Sequence, residues 1–98
     1  EVDRIPQVLN RVTPSIPTNV RKGAATLRTS FVFVVDVNGE IKNVRIAVPS
    51  GNPEFDAIVE QALHEWTFSP AIRHGQKVRC LLQQAIIIRW SGGSPFEL

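Results

Sequence analysis

Ninety-eight residues, 43% hydrophobic and 20% charged, fit one globular domain with a single modest core. A formal net charge of +2 is too small to argue for nucleic acid, no apolar run reaches the length of a membrane span, and one cysteine excludes an internal disulfide. The chain opens on Glu1 with neither Met nor a signal peptide, so a piece of a longer protein is expected, with any anchor or targeting segment upstream.

Residues 1–13 read as an irregular arm, and Pro14-Ser15-Ile16-Pro17 forbids regular helix before Thr18. Thr18 to Lys22 then fits a short helix, with Pro17 favourable at its start and Gly23 as its stop. Leu27 to Val37 reads as a strand rich in aromatic and β-branched residues. Its odd face, Thr29, Phe31, Phe33 and Val35, should meet the core. Val32 and Val34 leave the other face more apolar than a solvated one. Asn38-Gly39 predicts a hairpin through a type I′ turn, which needs positive φ at both central residues. Glu40 to Val48 returns as the second strand, with Val44, Ile46 and Val48 on one face, and Pro49-Ser50-Gly51 ends it.

Asn52 then offers an N-cap, Pro53 a first helical residue and Glu54 a charge suited to the positive helix end. Phe55, Ile58, Val59, Ala62, Leu63 and Trp66 recur at 3.6-residue spacing, opposite a polar face of Asp56, Glu60, Gln61, His64 and Glu65. Pro70 is the expected helix stop, and His74-Gly75 a turn. Lys77 to Trp90 reads as the longest strand, with more apolar side chains on its two faces than one helical layer can bury. Residues 91–98 read as a linker-like, frayed tail, which leaves 14–90 as the domain.

Helix, strand, strand, helix, strand is an α+β order: a three-stranded antiparallel or mixed sheet with the main helix packed on one face. A helical crossover joins the second and third strands, so they should run parallel to each other and flank the first. That is a 2-1-3 order with the long third strand at an edge, where unpaired N–H and C=O groups can accept another chain. Charge is unevenly spread. Residues 1–28 hold five Lys/Arg against two Asp/Glu, 29–70 two against six, and 71–98 four against one, a pattern able to steer an acidic peptide or an anionic membrane surface.

Catalytic constellations are missing. His64-Glu65 lacks the second histidine of a zinc-protease helix, and Asp36-Val37-Asn38-Gly39 is better explained by a hairpin than by a calcium loop. Cys80 and His74 lack a third orienting group, so Cys80 reads as a small core residue. No phosphate-binding glycine loop exists. An interaction module is expected, not an enzyme, with no metal and no cofactor.

Taken in order, Ile16-Pro17, Phe33-x-Val35-Asp36-x-x-Gly39, Val44-x-Ile46, Ser50-Gly51, Phe55-Asp56, Ala62-x-x-x-Trp66-x-Phe68-x-Pro70-Ala71 and Gly75-x-x-Val78 resemble the C-terminal domain of the TonB family of energy transducers over about residues 3–90. The resemblance implies a periplasmic domain, tethered through a Pro-rich linker to an inner-membrane helix that works with an ExbB/ExbD-type proton channel. It also implies that the last strand grips the TonB box of an outer-membrane transporter by strand addition. The matching positions lie within Arg79 to Ile88, with Gln83, Gln84, Ala85, Ile86 and Ile87 the stretch expected to pair and Arg21 and Lys22 as further contacts.

The chain departs from the family pattern in three places. Ile16-Pro17 replaces the usual Tyr-Pro, Leu27 stands where a glycine precedes the first-strand Phe, and no proline interrupts the last strand near Ala85. An edge without that proline is stickier, which favours a homodimer or a different partner. The alternative reading is a structural module of another envelope-spanning complex, TolA-like or of a secretion or motility machine.

Overall fold

The computed structural model describes residues 2–91 and 94–96. A short β1 (Val8–Asn10) and the single-turn α1 (Thr18–Arg21) precede the hairpin of β2 (Thr26–Val35) and β3 (Ile41–Val48). After α2 (Pro53–Leu63) come β4 (Thr67–Phe68), β5 (Ala71–Arg73), β6 (Gln76–Val78), the long β7 (Cys80–Ser91) and β8 (Ser94–Phe96). The main sheet has the order β3-β2-β7-β8. Both β3 and β7 run antiparallel to β2, hence parallel to one another across it, as the helical crossover requires. The expected 2-1-3 order is therefore observed, and β8 backs only the end of β7, at Arg89 to Ser91. Of the tail expected to fray, residues 92, 93, 97 and 98 lie outside the described residues.

Alternation along β2 places the core. Thr29, Phe31, Phe33 and Val35 are all 0% exposed, on the side where Phe55, Val59 and Leu63 of α2 join them with Ile86, Ile88 and Trp90 of β7. Each large apolar side chain buried there contributes about 1.5–3 kcal/mol. The start of α2 is fixed by its own sequence. Asn52 Oδ1 accepts the Phe55 N–H at 3.1 Å while its Nδ2 donates to the Val20 carbonyl at 2.6 Å, so one side chain caps α2 and ties it to α1. Asp56 does not join the exposed polar face expected of it. It is buried, and its carboxylate accepts the Ser50 N–H at 3.2 Å.

α2 also stops before Pro70. The Glu65 and Trp66 N–H groups donate to the Ala62 and Leu63 carbonyls at 3.0 Å each, a tightened last turn. Trp66 leaves the helix yet stays buried.

The hairpin lies where Asn38-Gly39 places it, but its turn is not type I′. Gly39 takes φ 81°, whereas Asn38 is absent from the non-glycine residues at positive φ, Lys22, Asn43 and His74. The Gly39 N–H donates to the Asp36 carbonyl and the Asp36 N–H to the Glu40 carbonyl, both at 2.9 Å: a type I turn closed by a glycine bulge. Asp36 selects it, since its Oδ1 accepts the Asn38 and Glu40 N–H groups at 2.9 Å each. The two-residue turn with both φ positive occurs instead at His74 (52°) and Gly75 (77°), between β5 and β6. There the expected Lys77–Trp90 strand divides. Gln76–Val78 folds back on Ala71–Arg73, and after Arg79 the chain enters the main sheet.

The hairpin tip and the arm lock onto β4. The Phe68 N–H donates to the Gly39 carbonyl at 3.1 Å, and β1 pairs antiparallel with β4. Further along the arm, the Asp3 and Arg4 N–H groups donate to the Ile72 carbonyl, so the segment expected to be irregular is docked along its length. On β3, Asn43 at φ 55° marks a bulge where the register slips between Val32 and Val34. A second slip between Ser30 and Phe31 sets Ile46 opposite Phe31 but Val48 opposite Ser30, so these two do not share one face as expected; they are 44% and 53% exposed.

A Cβ on Gly39 would run into the Phe68 carbonyl oxygen and would also sit at a φ that L residues resist. Gly39→Ala should therefore destabilise the domain by more than about 2 kcal/mol in chemical denaturation; a loss within a few tenths would refute the docked tip. The Asp36 carboxyl is held below its ordinary 3.8, first by the Glu40 N–H, which outweighs the opposing cost of desolvation, and then by the Asn38 N–H, Lys42 and Arg79. A folded value below the unfolded one means that ionised Asp36 stabilises the domain above the ordinary value, and that this stability fades as pH falls towards the lowered one. Asp36→Asn should flatten that acid limb in unfolding measured from about pH 5 to 2; an unchanged limb would contradict it.

Candidate functional site

Backbone parity decides which residues of β7 can accept a partner. In an antiparallel ladder the N–H and C=O of one residue point to the same side, and neighbouring residues alternate. The Trp90 N–H donates to the Ala25 carbonyl at 2.8 Å, so even-numbered residues of β7 hydrogen-bond towards β2. Odd-numbered residues therefore turn their N–H and C=O outward. β8 meets that outer side at Arg89 and Ser91, which agrees. Leu81, Gln83, Ala85 and Ile87 remain as outward-facing positions that no strand pairs among the described residues.

A groove runs beside this edge. Its cavity of about 220 Å³ lies between the β7 stretch Gln84–Ile88 and the extended arm Arg11–Pro14, with Trp66 as floor. Trp66 holds the arm in place: its Nε1–H donates to the Val12 carbonyl at 2.9 Å, and the Arg11 guanidinium stacks over its ring at 5.1 Å. Phe68 supports Trp66, with ring centroids 6.4 Å apart. Gln84 Nε2 donates to the outward Ala85 carbonyl at 2.9 Å, so a side chain occupies an acceptor that a strand would otherwise use.

The residues named from sequence divide by parity and position. Gln83, Ala85 and Ile87 present backbone to the open edge. Gln84, Ile86 and Ile88 present backbone to β2, and the buried side chains of Ile86 and Ile88 belong to the core. Arg79 lies at the opposite end of the strand, where its charge acts on Asp36. Arg21 covers Trp90 at 5.3 Å, and Lys22 pairs with Glu54 at 3.6 Å with both side chains mostly exposed; neither lines the groove. Sequence reasoning missed the arm as the opposite wall. The available signal was Trp66, whose indole N–H needs a partner when buried. Cys80 is half-buried and its Sγ donates to the Leu81 carbonyl at 3.7 Å. His74 is exposed on its turn, and no hydrogen bond joins the two among the described residues.

A one-sided sheet with two helices on one face and a long strand open along its outer edge defines the class of this domain. The family described as Gram-negative bacterial TonB protein C-terminal matches residues 13–90, and the chain belongs to that family. The solution structure of the Pseudomonas aeruginosa TonB C-terminal domain is similar in fold, with a TM-score of 0.68 at 21% identity over 87% of this chain and 86% of that one. No curated protein sequence matches the chain.

Proline substitutions read the parity directly, because proline removes one N–H. Ile86→Pro should cost about 3 kcal/mol or more by breaking the ladder to β2, while Ile87→Pro removes only an outward donor and should leave the cooperative unfolding transition largely in place. Thermal unfolding of both variants checks this, and equal losses would reverse the assignment.

Proposed function

We propose that the domain captures an extended peptide as an added strand on the outer edge of β7, and that this peptide is the TonB box of an outer-membrane transporter. The observation that carries the reading is the run of outward backbone at Leu81, Gln83, Ala85 and Ile87, which no strand pairs among the described residues, with its Ala85–Ile87 end beside a groove with an apolar floor. Family membership supports it. In this reading the domain lies in the periplasm, an inner-membrane anchor couples it to an ExbB/ExbD-type complex, and no catalytic step is involved. Arg79, Arg21 and Lys22 flank the strand ends and meet the rim of a transporter.

Energetics fit a reversible grip. Four outward residues offer a donor each, and Gln83 and Ile87 offer acceptors as well, while a partner has to displace side-chain bonds at the Leu81 and Ala85 carbonyls; each bond is worth about 1 kcal/mol net, and association consumes at least about 4 kcal/mol. Apolar burial over Trp66 adds about 25 cal/mol per Å². Main-chain pairing fixes register and asks little of the peptide's sequence, while the groove selects its alternate side chains.

The same edge can pair with a second copy. Titrating the isotope-labelled domain with TonB-box peptides from its own genome separates the two uses. Shifts confined to Leu81–Ile88 and Arg11–Pro14, in a monomer, are expected. A folded monomer that ignores every such peptide at millimolar concentration would exclude the transporter reading. Edge shifts that appear with protein concentration alone would assign the strand to self-pairing, as a scaffold requires.

A further inference from the structure

The sheet has a second surface that neither helix covers. Residues directly opposite in adjacent strands share a face, so the face away from the core is defined by the even residues of β2. Thr26 stands opposite Arg89, Val32 opposite Arg45 and Val34 opposite Lys42, and Arg28 lies two residues along from Thr26. Every cation within β2, β3 and β7 therefore projects to this one face, and none of the three strands contains an Asp or Glu. Between the cations lie aliphatic side chains, Val32, Val34 and Ile87 half-buried and Leu81 67% exposed, on either side of a Gln83–Ser30 pair in which Gln83 Nε2 donates to Ser30 Oγ at 3.1 Å.

Among the described residues, two carboxylates flank these strands at the hairpin end. Asp36 is engaged in its turn, and Glu40 pairs with Lys42 at 3.6 Å. Arg28, Arg45 and Arg89 meet no carboxylate within ion-pair distance among the described residues. The exposed acids Glu54 and Glu65 and the half-buried Glu60 belong to the helical layer. The domain is polarised through its thickness, acidic over α2 and basic over the bare sheet.

We infer that this bare sheet face rests on an anionic phospholipid surface. Three strands of about ten residues span roughly 33 by 14 Å, about 450 Å² in plane, below the roughly 800 Å² per partner of a standard protein interface. Charge-driven adsorption to a bilayer has no such threshold, and each basic residue at an anionic surface raises partitioning roughly fivefold. A patch of one sign, without interspersed acids, suits a partner that is uniformly negative better than a protein whose carboxylates are matched one by one. Leu81, at the hairpin end of β7, supplies shallow apolar contact. The outer edge of β7 lies in the plane of the sheet, so the surface and the groove operate independently, and the inference does not rest on strand addition.

The test is co-sedimentation of the chain with phosphatidylglycerol-containing vesicles and with pure phosphatidylcholine vesicles at low salt. The unmodified chain should bind the first and not the second. Combining Arg28→Glu, Arg45→Glu and Arg89→Glu should weaken binding about a hundredfold or more. The same charge change made with Arg4→Glu, Arg73→Glu and Lys77→Glu, all exposed and off this face, should weaken it by less than about tenfold. Equal losses would show adsorption by net charge and overturn the assignment, as would no binding at all. Binding to soluble polyglutamate without binding to vesicles would make the occupant an acidic chain and also overturn it. A spin-labelled lipid gives a readout without mutation: amides of Val32, Val34, Leu81 and Ala85 should broaden, and broadening centred on α2 would refute the face.

Discussion

β7 must serve two neighbours with one backbone, and the period of two along a strand is what lets it. Its even residues send N–H and C=O groups to β2 and carry the buried Ile86, Ile88 and Trp90. Its odd residues turn both groups outward. The core and the open edge are thus written on the same twelve residues without competing. A one-residue slip would exchange them, exposing the isoleucines and burying Gln83 and Arg89. Phe31 and Phe33 on β2, both fully buried, hold the register against that slip.

An open apolar edge is a liability, and the fold limits it without closing it. β8 takes the end of the strand at Arg89 to Ser91. Arg11–Pro14 stands across the groove, and Gln84 returns to the Ala85 carbonyl. None of these replaces a full neighbouring strand. The wall is itself conditional: the arm reaches the groove because β1 pairs with β4 and because Trp66 holds the Val12 carbonyl. β4 is placed in turn by Gly39, whose missing side chain lets the hairpin tip approach Phe68. A turn on one side of the sheet therefore sets the shape of a groove on the other.

Much of this was legible in the residues. The alternation of Phe31, Phe33 and Val35 located the buried face, the Asn52-Pro53 start and apolar stripe located the helix, and the helical crossover dictated strand order. What escaped shares a physical cause, in that local signals were outvoted by neighbours. Asn38-Gly39 favours one turn type, but the Asp36 carboxylate takes two backbone N–H groups and selects another. Asp56 looks solvent-bound by helical period, yet it accepts the Ser50 N–H in the loop before the helix. Lys77–Trp90 reads as one strand because nothing in its composition reveals that β6 has a closer partner in β5. The groove was least legible, since its wall and floor are joined by a hydrogen bond spanning 54 positions, beyond the reach of periodicity.

The same geometry bears on force, which is what a transducer of the kind proposed has to pass. A peptide added to β7 is antiparallel or parallel to it, and tension along the peptide shears its hydrogen bonds together rather than peeling them one at a time. The joint can use the outward groups of Leu81, Gln83, Ala85 and Ile87. Behind it, β7 is paired with β2 at ten consecutive positions from Thr26–Arg89 to Val35–Cys80 and is further held by Ile86, Ile88 and Trp90 in the core. The inner ladder is longer and drier than any joint the outer edge can form. Under load the captured strand should leave before the domain unfolds, so the connection is reversible because its weaker side faces the partner.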